Sequence, residues 1–546
     1  MKNYTIGIDY GTLSARAAIV DCENGNEIAA KELIYPNGVM EKSLPDGTPL
    51  GEDWALQHPK DYLLVLTQTL PELIKESGIC PSLIKGVGVD FTSCTIMPVT
   101  SDGMPLCFKD EYKSQPNAYA KLWKHHAAQK EADLINEVAA ARGEKWFASY
   151  GSRISCEFAY PKILQTLREA PEVYEHADYF IDAGDWIVWM LCGQQKRSAC
   201  IAGFKYFYTR DGYPSREFNA ALDKRLERLG EEKLNAPVIF AGQKAGEVTE
   251  EMAKLTGLEK GTAVCCAMID AHAAAPALKI TRPGRMFAIL GTSGVFIIMH
   301  EDAIPVPGIL GNVDGGTMAG YIAYEAGQSC YGDSFAWVAE NFFPREYAEE
   351  AAQKGVSAHT LLTQKASLMQ PGESGLIVLD WFNGNRSILN DSELSGMILG
   401  INLNTKPEEV YRAFMEATSF STKVIIDNFI KNGISVDSVY ATGGIAAKNP
   451  VLVQMLSDVL QLPIYLSGTS QGGAVGSAIY AVQAAGVFES LDDAAQAMGS
   501  IREEHFEPNL EVCGKYQALY KEYLALHDYF GKGGSDIMHR LRKLKN

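Results

Sequence analysis

The chain lacks long hydrophobic runs, paired-cysteine motifs and clustered histidines, although it is 546 residues long. Its apolar stretches fall short of the ~20 residues that a membrane-spanning helix needs, so we predict no membrane segment. Acidic residues outnumber basic ones by 67 to 49, and a net charge of −18 argues against a nucleic-acid partner. The 10 histidines show no H-x-x-x-H spacing, which argues against a histidine-based metal site.

The 11 cysteines include no C-x-x-C motif and a single adjacent pair, Cys265 and Cys266. Such a scattered pattern is typical of free thiols in a reducing compartment rather than of a disulfide framework. Asp9 stands where an export signal would need its apolar core. We therefore predict a cytoplasmic protein.

The chain begins with two short apolar runs joined by a polar turn, in "YTIGIDYGTLSARAAIVD". The runs are typical of buried strands, and Gly11, Thr12 and Ser14 are residue types that form tight turns. This pattern predicts a β-hairpin with Asp9 at the end of its first strand. A second hairpin is predicted in "RMFAILGTSGVFIIMH", where Gly291 and Thr292 lie in the turn.

Two similar hairpins indicate an internal duplication, and coincidence is the alternative because Gly-Thr turns are common. The length of 546 residues favours two large domains, and alternating strand and helix patterns favour an α/β fold. A helix is predicted from His58 to about Glu76 and another over "NAYAKLWKHHAAQKEADLINEVAA". The stretch from Ser500 to Asn546 is predicted to be helical, with a basic end.

Two further segments place polar residues directly after strands. Ala263 to Ala267 is predicted as a strand, and Asp270 follows it before an alanine-rich helix. Val436 to Ala441 is predicted as a strand that leads into the turn Thr442-Gly443-Gly444. Asn449 and Pro450 then suit the start of a helix. Glycines at such a turn bring the backbone close to a neighbouring group, either a nucleotide or simply the next element.

Four segments in this order resemble the FGGY family of carbohydrate kinases, which belongs to the actin-like ATPase superfamily. They are "IGIDYGT", "AILGTSGVF", "ATGGIAAKNPVLVQMLSDVL" and "SQGGAVGSAIYAVQAAG". The resemblance runs from Tyr4 to about Ala485. It implies an α/β protein of two ribonuclease-H-like domains that flank a catalytic cleft. Residues 1–280 are expected to bind the sugar, and residues 281–546 are expected to bind the nucleotide.

The resemblance also implies ATP and Mg²⁺ as ligands. It assigns metal binding to Asp9, catalysis and substrate binding to Asp270, and further sugar contacts to Ser93, Lys205 and Glu325. The residues expected to bind ATP are Gly11, Thr12, Ser14, Gly291, Thr292, Gly443, Gly444 and Asn449. Each of four residues also has a purely structural alternative. Asp9 is alternatively a solvated residue at a strand end, and Asp270 is alternatively a helix N-cap. Lys205 is alternatively a solvated surface residue, and Glu325 is alternatively a residue at a helix start.

Within the family, the segments "GVDFTSCTIMPV", "LWKHH", "AGFKYFY", "YEAGQSCYGDSFAW" and "DWFNGNRS" resemble the members that phosphorylate L-ribulose. Ile269-Asp270-Ala271-His272 stands where glycerol-phosphorylating members have Gly-Asp-Gln. The implied reaction forms L-ribulose 5-phosphate from the 5-hydroxyl in L-arabinose breakdown. The alternatives are a D-ribulose or xylulose kinase, or a non-catalytic actin-like protein. The C-terminal stretch offers a contact for a homodimer or for either domain.

Overall fold

The computed structural model describes residues 2–545, and Met1 and Asn546 lie outside the described residues. A first sheet of seven strands contains the N-terminal hairpin, as predicted. In spatial order, six of its strands are Lys244–Glu247, Ala263–Cys265, Ile84–Phe91, Tyr4–Tyr10, Ser14–Asp21 and Glu27–Ile34. The seventh strand, Met268–Ile269, pairs in parallel with the end of Ile84–Phe91.

A second sheet of seven strands contains the other predicted hairpin. In spatial order, its strands are Gly311–Asp314, Ile322–Gln328, Gly294–His300, Gly284–Leu290, Val436–Thr442, Ile464–Ser467 and Ile501–Phe506. In both sheets, the first hairpin strand lies between its antiparallel partner and a parallel strand that comes later in the chain. This shared order confirms the predicted duplication and the two-domain α/β fold.

Helices cover the sheets and connect their strands. The longer helices of the first half are Leu70–Ser77, Gln129–Arg142, Ala159–Glu169, Ala183–Cys192, Ala199–Lys205, Arg216–Leu222 and Glu250–Thr256. Those of the second half are Gly332–Asn341, Arg345–Lys354, Ala358–Ser367, Pro407–Lys431, Pro450–Leu460, Gly472–Ala484, Leu491–Met498, Leu510–Gly531 and Ile537–Lys545. The predicted helix after His58 is divided into Pro59–Leu64, a π-helical turn and Leu70–Ser77.

The helix Gly472–Ala484 lies far along the chain but packs against the first sheet. The Thr5 hydroxyl donates a hydrogen bond to the Ala478 carbonyl at 3.0 Å. Residues 474–482 and 491–498 contribute to the same hydrophobic core as the N-terminal strands. The chain therefore returns to its first sheet before it ends, and the division at residues 280 and 281 stays a prediction.

Two helix predictions were wrong in part. Of the segment that begins at Asn117, only Gln129–Arg142 forms a regular α-helix. The earlier part is extended or turning because Lys121 is buried and donates hydrogen bonds to Gln165 and Thr166. The C-terminal stretch begins with the edge strand Ile501–Phe506, which pairs with Ile464–Ser467, and becomes helical only from Leu510.

All 11 cysteines are free, and Cys80 alone among them is exposed. Between residues 2 and 545, the helices are each too short or too polar to cross a bilayer.

Candidate active site

A cleft of about 1440 Å³ is lined by residues from both sheets. The first hairpin contributes Asp9 and Thr12, and the second contributes Ser293. The turn after the strand Val436–Thr442 contributes Gly443 and Gly444. Both predicted hairpin turns thus reach one cavity, because corresponding ends of the two similar sheets meet there.

Three aspartates lie at the carboxyl ends of adjacent parallel strands in the first sheet. Asp9 is the register partner of Asp90, and Asp90 is the register partner of Met268, two residues before Asp270. Ligands of open α/β sheets bind at this edge. Asp90 is fully buried, and its Oδ2 accepts a hydrogen bond from the Ser477 hydroxyl at 2.6 Å. Burial, and then the charge of Asp9, raises the pKa of Asp90 well above its usual range.

Asp270 is the first residue of the short helix Asp270–Ala273 and lines the cleft. Ile269 occupies the N-cap position, so the alternative of an N-cap role for Asp270 does not hold. The Asp270 carboxylate accepts a hydrogen bond from the Ala271 amide at 2.7 Å. Burial, followed by the nearby charge of Asp9, raises the pKa of Asp270 to about 7. A carboxylate with this pKa can accept a proton near neutral pH.

Lys205 and Glu325 form a close pair in the lining of the cleft, near enough to Asp270 for their charges to act on it. The Lys205 ammonium lies 3.9 Å from Glu325 Oε1, and both side chains are largely buried. Burial alone favours the neutral form of Glu325, but the Lys205 charge and a hydrogen bond from His272 lower the pKa of Glu325 to about 2. This site therefore holds an ionised carboxylate and an ammonium group that both reach the cavity. Ser93 lines the same region.

The remaining predicted residues shape the turns more than they line the cavity. The Gly11 amide donates a hydrogen bond to the Ser14 carbonyl at 2.9 Å, which closes the first turn. The carbonyls of Gly291 and Thr292 accept hydrogen bonds from the amides of Gly332 and Tyr331 at 3.0 and 2.9 Å. The Asn449 side chain caps the helix Pro450–Leu460. Of the predicted site residues, Gly11, Ser14, Gly291, Thr292 and Asn449 do not line the cleft.

The structure adds contacts for residues to which the sequence analysis assigned no role. Asp90 occupies the strand end in "VGVDFTS", a pattern that repeats the "IGIDYGT" around Asp9, and this repetition was the signal that could have identified it. His272 is fully buried between Thr317 and Glu325, which no local pattern predicts. Arg386 lines the cleft, and its charge helps to hold the pKa of Glu325 low.

Family models match almost the whole chain. The N-terminal domain of the FGGY family of carbohydrate kinases matches residues 4–276, and the C-terminal domain matches residues 286–485. The chain belongs to the FGGY family of carbohydrate kinases. This FGGY kinase is therefore a sugar kinase that uses ATP as a substrate, as the motif resemblance implied.

Curated relatives agree with this family. A ribulokinase from Geobacillus thermodenitrificans is 48% identical, with 100% of this chain and 97% of the relative covered. A ribulokinase from Staphylococcus aureus is 38% identical, with 100% of this chain and 99% of the relative covered. The resemblance of this FGGY kinase to ribulokinases is thus confirmed over its full length.

Solved structures show the same fold. A xylulose kinase from Rhodospirillum rubrum superposes with a TM-score of 0.79 at 22% identity, covering 98% of this FGGY kinase and 100% of that chain. A Plasmodium falciparum glycerol kinase with ADP gives a TM-score of 0.76 at 17% identity, covering 96% of this chain and 98% of that chain. At these identities the likeness establishes the two-domain fold alone.

Proposed function

We propose that this kinase transfers the γ-phosphoryl group of ATP to the 5-hydroxyl of L-ribulose, forming L-ribulose 5-phosphate and ADP in L-arabinose breakdown. The resemblance to ribulokinases over the full chain supports the choice of sugar. The geometric observation that carries the proposal is the position of Asp270. It lies in the same cleft as the Lys205–Glu325 pair and both hairpin turns.

Asp270 acts as the general base in this proposal. Its carboxylate accepts the proton of the 5-hydroxyl as that oxygen attacks the γ-phosphorus and the bond to the ADP oxygen breaks. Lys205, Glu325 and Ser93 pair with the other sugar hydroxyls and thereby orient the attacking oxygen. A polyol needs such partners because each buried hydroxyl left unpaired costs about 1–3 kcal/mol.

The hairpin turns hold the phosphates of ATP in this proposal. Gly11, Ser14, Gly291 and Thr292 shape the two turns, and these turns present cleft-lining groups such as those of Thr12 and Ser293 to the β- and γ-phosphates. Gly443, Gly444 and Asn449 shape the adenosine site. Residues 1–280 then bind mainly the sugar, and residues 281–546 bind mainly the nucleotide. Closure of the cleft excludes water, which would otherwise compete with the sugar hydroxyl for the phosphoryl group.

Asp9 is the residue we propose to hold Mg²⁺, directly or through water. The neighbouring Asp90 Oδ1 is buried without a hydrogen-bond partner, and burial raises the pKa of Asp9. Gly473 leaves room there, since a Cβ on it would lie 2.8 Å from Asp9 Oδ2. A hard cation suits this set of carboxylate oxygens. Among residues 2–545, groups of three or more metal-binding side chains are absent, so phosphates and water would supply most of the ligands.

We propose that the enzyme is cytoplasmic, because its free cysteines suit a reducing compartment. The homodimer stays a prediction, which the native mass in solution will test.

A panel of sugars tests the choice of substrate. With L-ribulose, D-ribulose, xylulose, aldoses and glycerol at equal concentration, we expect ADP release to be fastest with L-ribulose. A sugar epimer that leaves one buried hydroxyl without its hydrogen-bond partner should react at least about tenfold more slowly than L-ribulose. If xylulose or D-ribulose reacts faster than L-ribulose, then that sugar replaces L-ribulose as the proposed substrate. A rate of ATP hydrolysis that does not change when any of the sugars is added would instead favour an actin-like protein.

The raised pKa of Asp270 predicts how the rate depends on pH. The base works only when it is ionised, so kcat/KM should rise with pH, with a midpoint of about 7, and then level off. The measurement is kcat/KM for the preferred sugar from about pH 5 to 9, which reports groups of the free enzyme.

Asp380 provides a matched control for this profile. Burial also raises its pKa to about 7, but it lies outside the cleft lining. Asp380→Asn should therefore leave the midpoint unchanged. A flat profile for the wild type, or a midpoint that moves in Asp380→Asn, contradicts the assignment to Asp270.

A further inference from the structure

His272 forms the centre of a buried hydrogen-bonded chain beside the cleft. Its Nε2 lies 2.9 Å from Glu325 Oε2, and its Nδ1 lies 2.8 Å from the Thr317 hydroxyl. The Phe204 ring packs on the imidazole with ring centroids 4.4 Å apart. His272 itself is fully buried and does not line the cavity. It can therefore reach the sugar only through a neighbour.

The direction of each hydrogen bond follows from charge. Glu325 is ionised and can only accept, so His272 Nε2–H must donate to it. Burial lowers the pKa of His272, so the ring is neutral, and its Nδ1 then accepts the Thr317 hydroxyl proton. The Thr317 carbonyl accepts a hydrogen bond from the Tyr480 hydroxyl at 2.7 Å, which anchors this end of the chain.

The two carboxylate oxygens of Glu325 have different surroundings. Oε2 is occupied by His272, whereas Oε1 lies 3.9 Å from the Lys205 ammonium, too far for a direct hydrogen bond. Both Lys205 and Glu325 line the cavity, so this gap leaves each group able to bond a hydroxyl. Without the His272 donor, the carboxylate would be free to turn toward Lys205 and the two groups would satisfy each other.

We propose that His272 is a positioning residue that holds the Glu325 carboxylate away from Lys205, so that both groups remain available to sugar hydroxyls. This inference rests on the proposed role of the Lys205–Glu325 pair in binding the sugar.

The test compares two polar substitutions of similar size. His272→Gln keeps an N–H donor at the distance of Nε2, whereas His272→Asn is too short to reach Glu325 but can still pair with Thr317. We expect His272→Asn to raise the KM for sugar by about tenfold, the low end for loss of a hydrogen bond to a charged group. His272→Gln should stay within about threefold of the wild type. For both variants, kcat and the KM for ATP should change by less than about threefold.

A double-mutant cycle with Glu325→Gln separates positioning from general damage. If His272 acts through Glu325, then His272→Asn should add no further increase in sugar KM on top of Glu325→Gln. His125→Asn is the matched control, because His125 is a fully buried histidine outside the cleft lining that also contacts a side-chain partner, Gln165. It should leave the sugar KM unchanged.

Three results would overturn the inference: an unchanged sugar KM in His272→Asn, an equal loss in His272→Gln and His272→Asn, or additive effects in the cycle. The kinetics use whichever ketopentose the wild type prefers. A preference for a sugar other than L-ribulose would thus remove the proposed substrate while leaving the test of His272 intact.

Discussion

Replacing Asp270 by asparagine is expected to lower kcat by at least about 100-fold, within the range that a general base contributes. The amide has the shape of the carboxyl group but cannot accept the proton of the attacking hydroxyl. Binding of sugar and of ATP should persist, because Lys205, Glu325 and the hairpin turns are unchanged. Folding should persist as well, since the change removes a negative charge that lies close to Asp9 and that burial disfavours.

The measurement combines steady-state ADP release with calorimetric titration of the sugar and of a non-hydrolysable ATP analogue. Asp380→Asn again serves as the control, because it removes another buried carboxyl group with a pKa of about 7 outside the cleft lining. It should keep kcat near the wild-type value. Near-normal turnover in Asp270→Asn would remove Asp270 from the role of base.

Replacing Gly7 by alanine is expected to destabilise the fold by about 3 kcal/mol, at the upper end of the usual cost of overpacking. Gly7 lies in the central strand Tyr4–Tyr10, and the helix Gly472–Ala484 crosses directly over it. A Cβ at Gly7 would lie 1.7 Å from the Ala474 carbonyl oxygen. Because that atom belongs to the backbone, no side-chain rotation relieves the clash, and the helix must move away from the sheet.

The measurement is the free energy of unfolding in denaturant. Gly514→Ala is the matched control, since Gly514 is exposed within the helix Leu510–Gly531 and a Cβ there meets nothing within 4 Å. The control should stabilise the protein by up to about 1 kcal/mol, because alanine favours the helix. Equal stability of Gly7→Ala and the wild type would mean that this contact between helix and sheet is looser than described.

The movement of that helix should also reduce activity in Gly7→Ala. Ser477 on the same helix bonds Asp90, and Gly473 lies against Asp9. Displacement of the helix therefore disturbs the carboxylates at the base of the cleft.

Most local elements of this protein could be predicted from short stretches of its sequence. Both hairpins were predictable because a strand pair and its turn lie within about twenty residues, and apolar runs with Gly-Thr turns encode them directly. The family resemblance identified the cleft residues Asp9, Lys205, Asp270 and Glu325 as candidates, and the structure brings all four to one cavity. The segment around Lys121 was predicted wrongly because its helical composition is overridden by burial of that lysine against Gln165 and Thr166.

Which distant residues act together depends on how the elements pack in three dimensions. Asp90 joins Asp9 through parallel strand pairing, and the helix Gly472–Ala484 returns to the first sheet across more than half of the chain. The contacts from His272 to Thr317 and Glu325 likewise link separate elements. Hydrophobic periodicity specifies which face of a strand or helix is buried, but not which other element covers it. That choice depends on close packing between remote backbones, as at Gly7, and it carries no local signature.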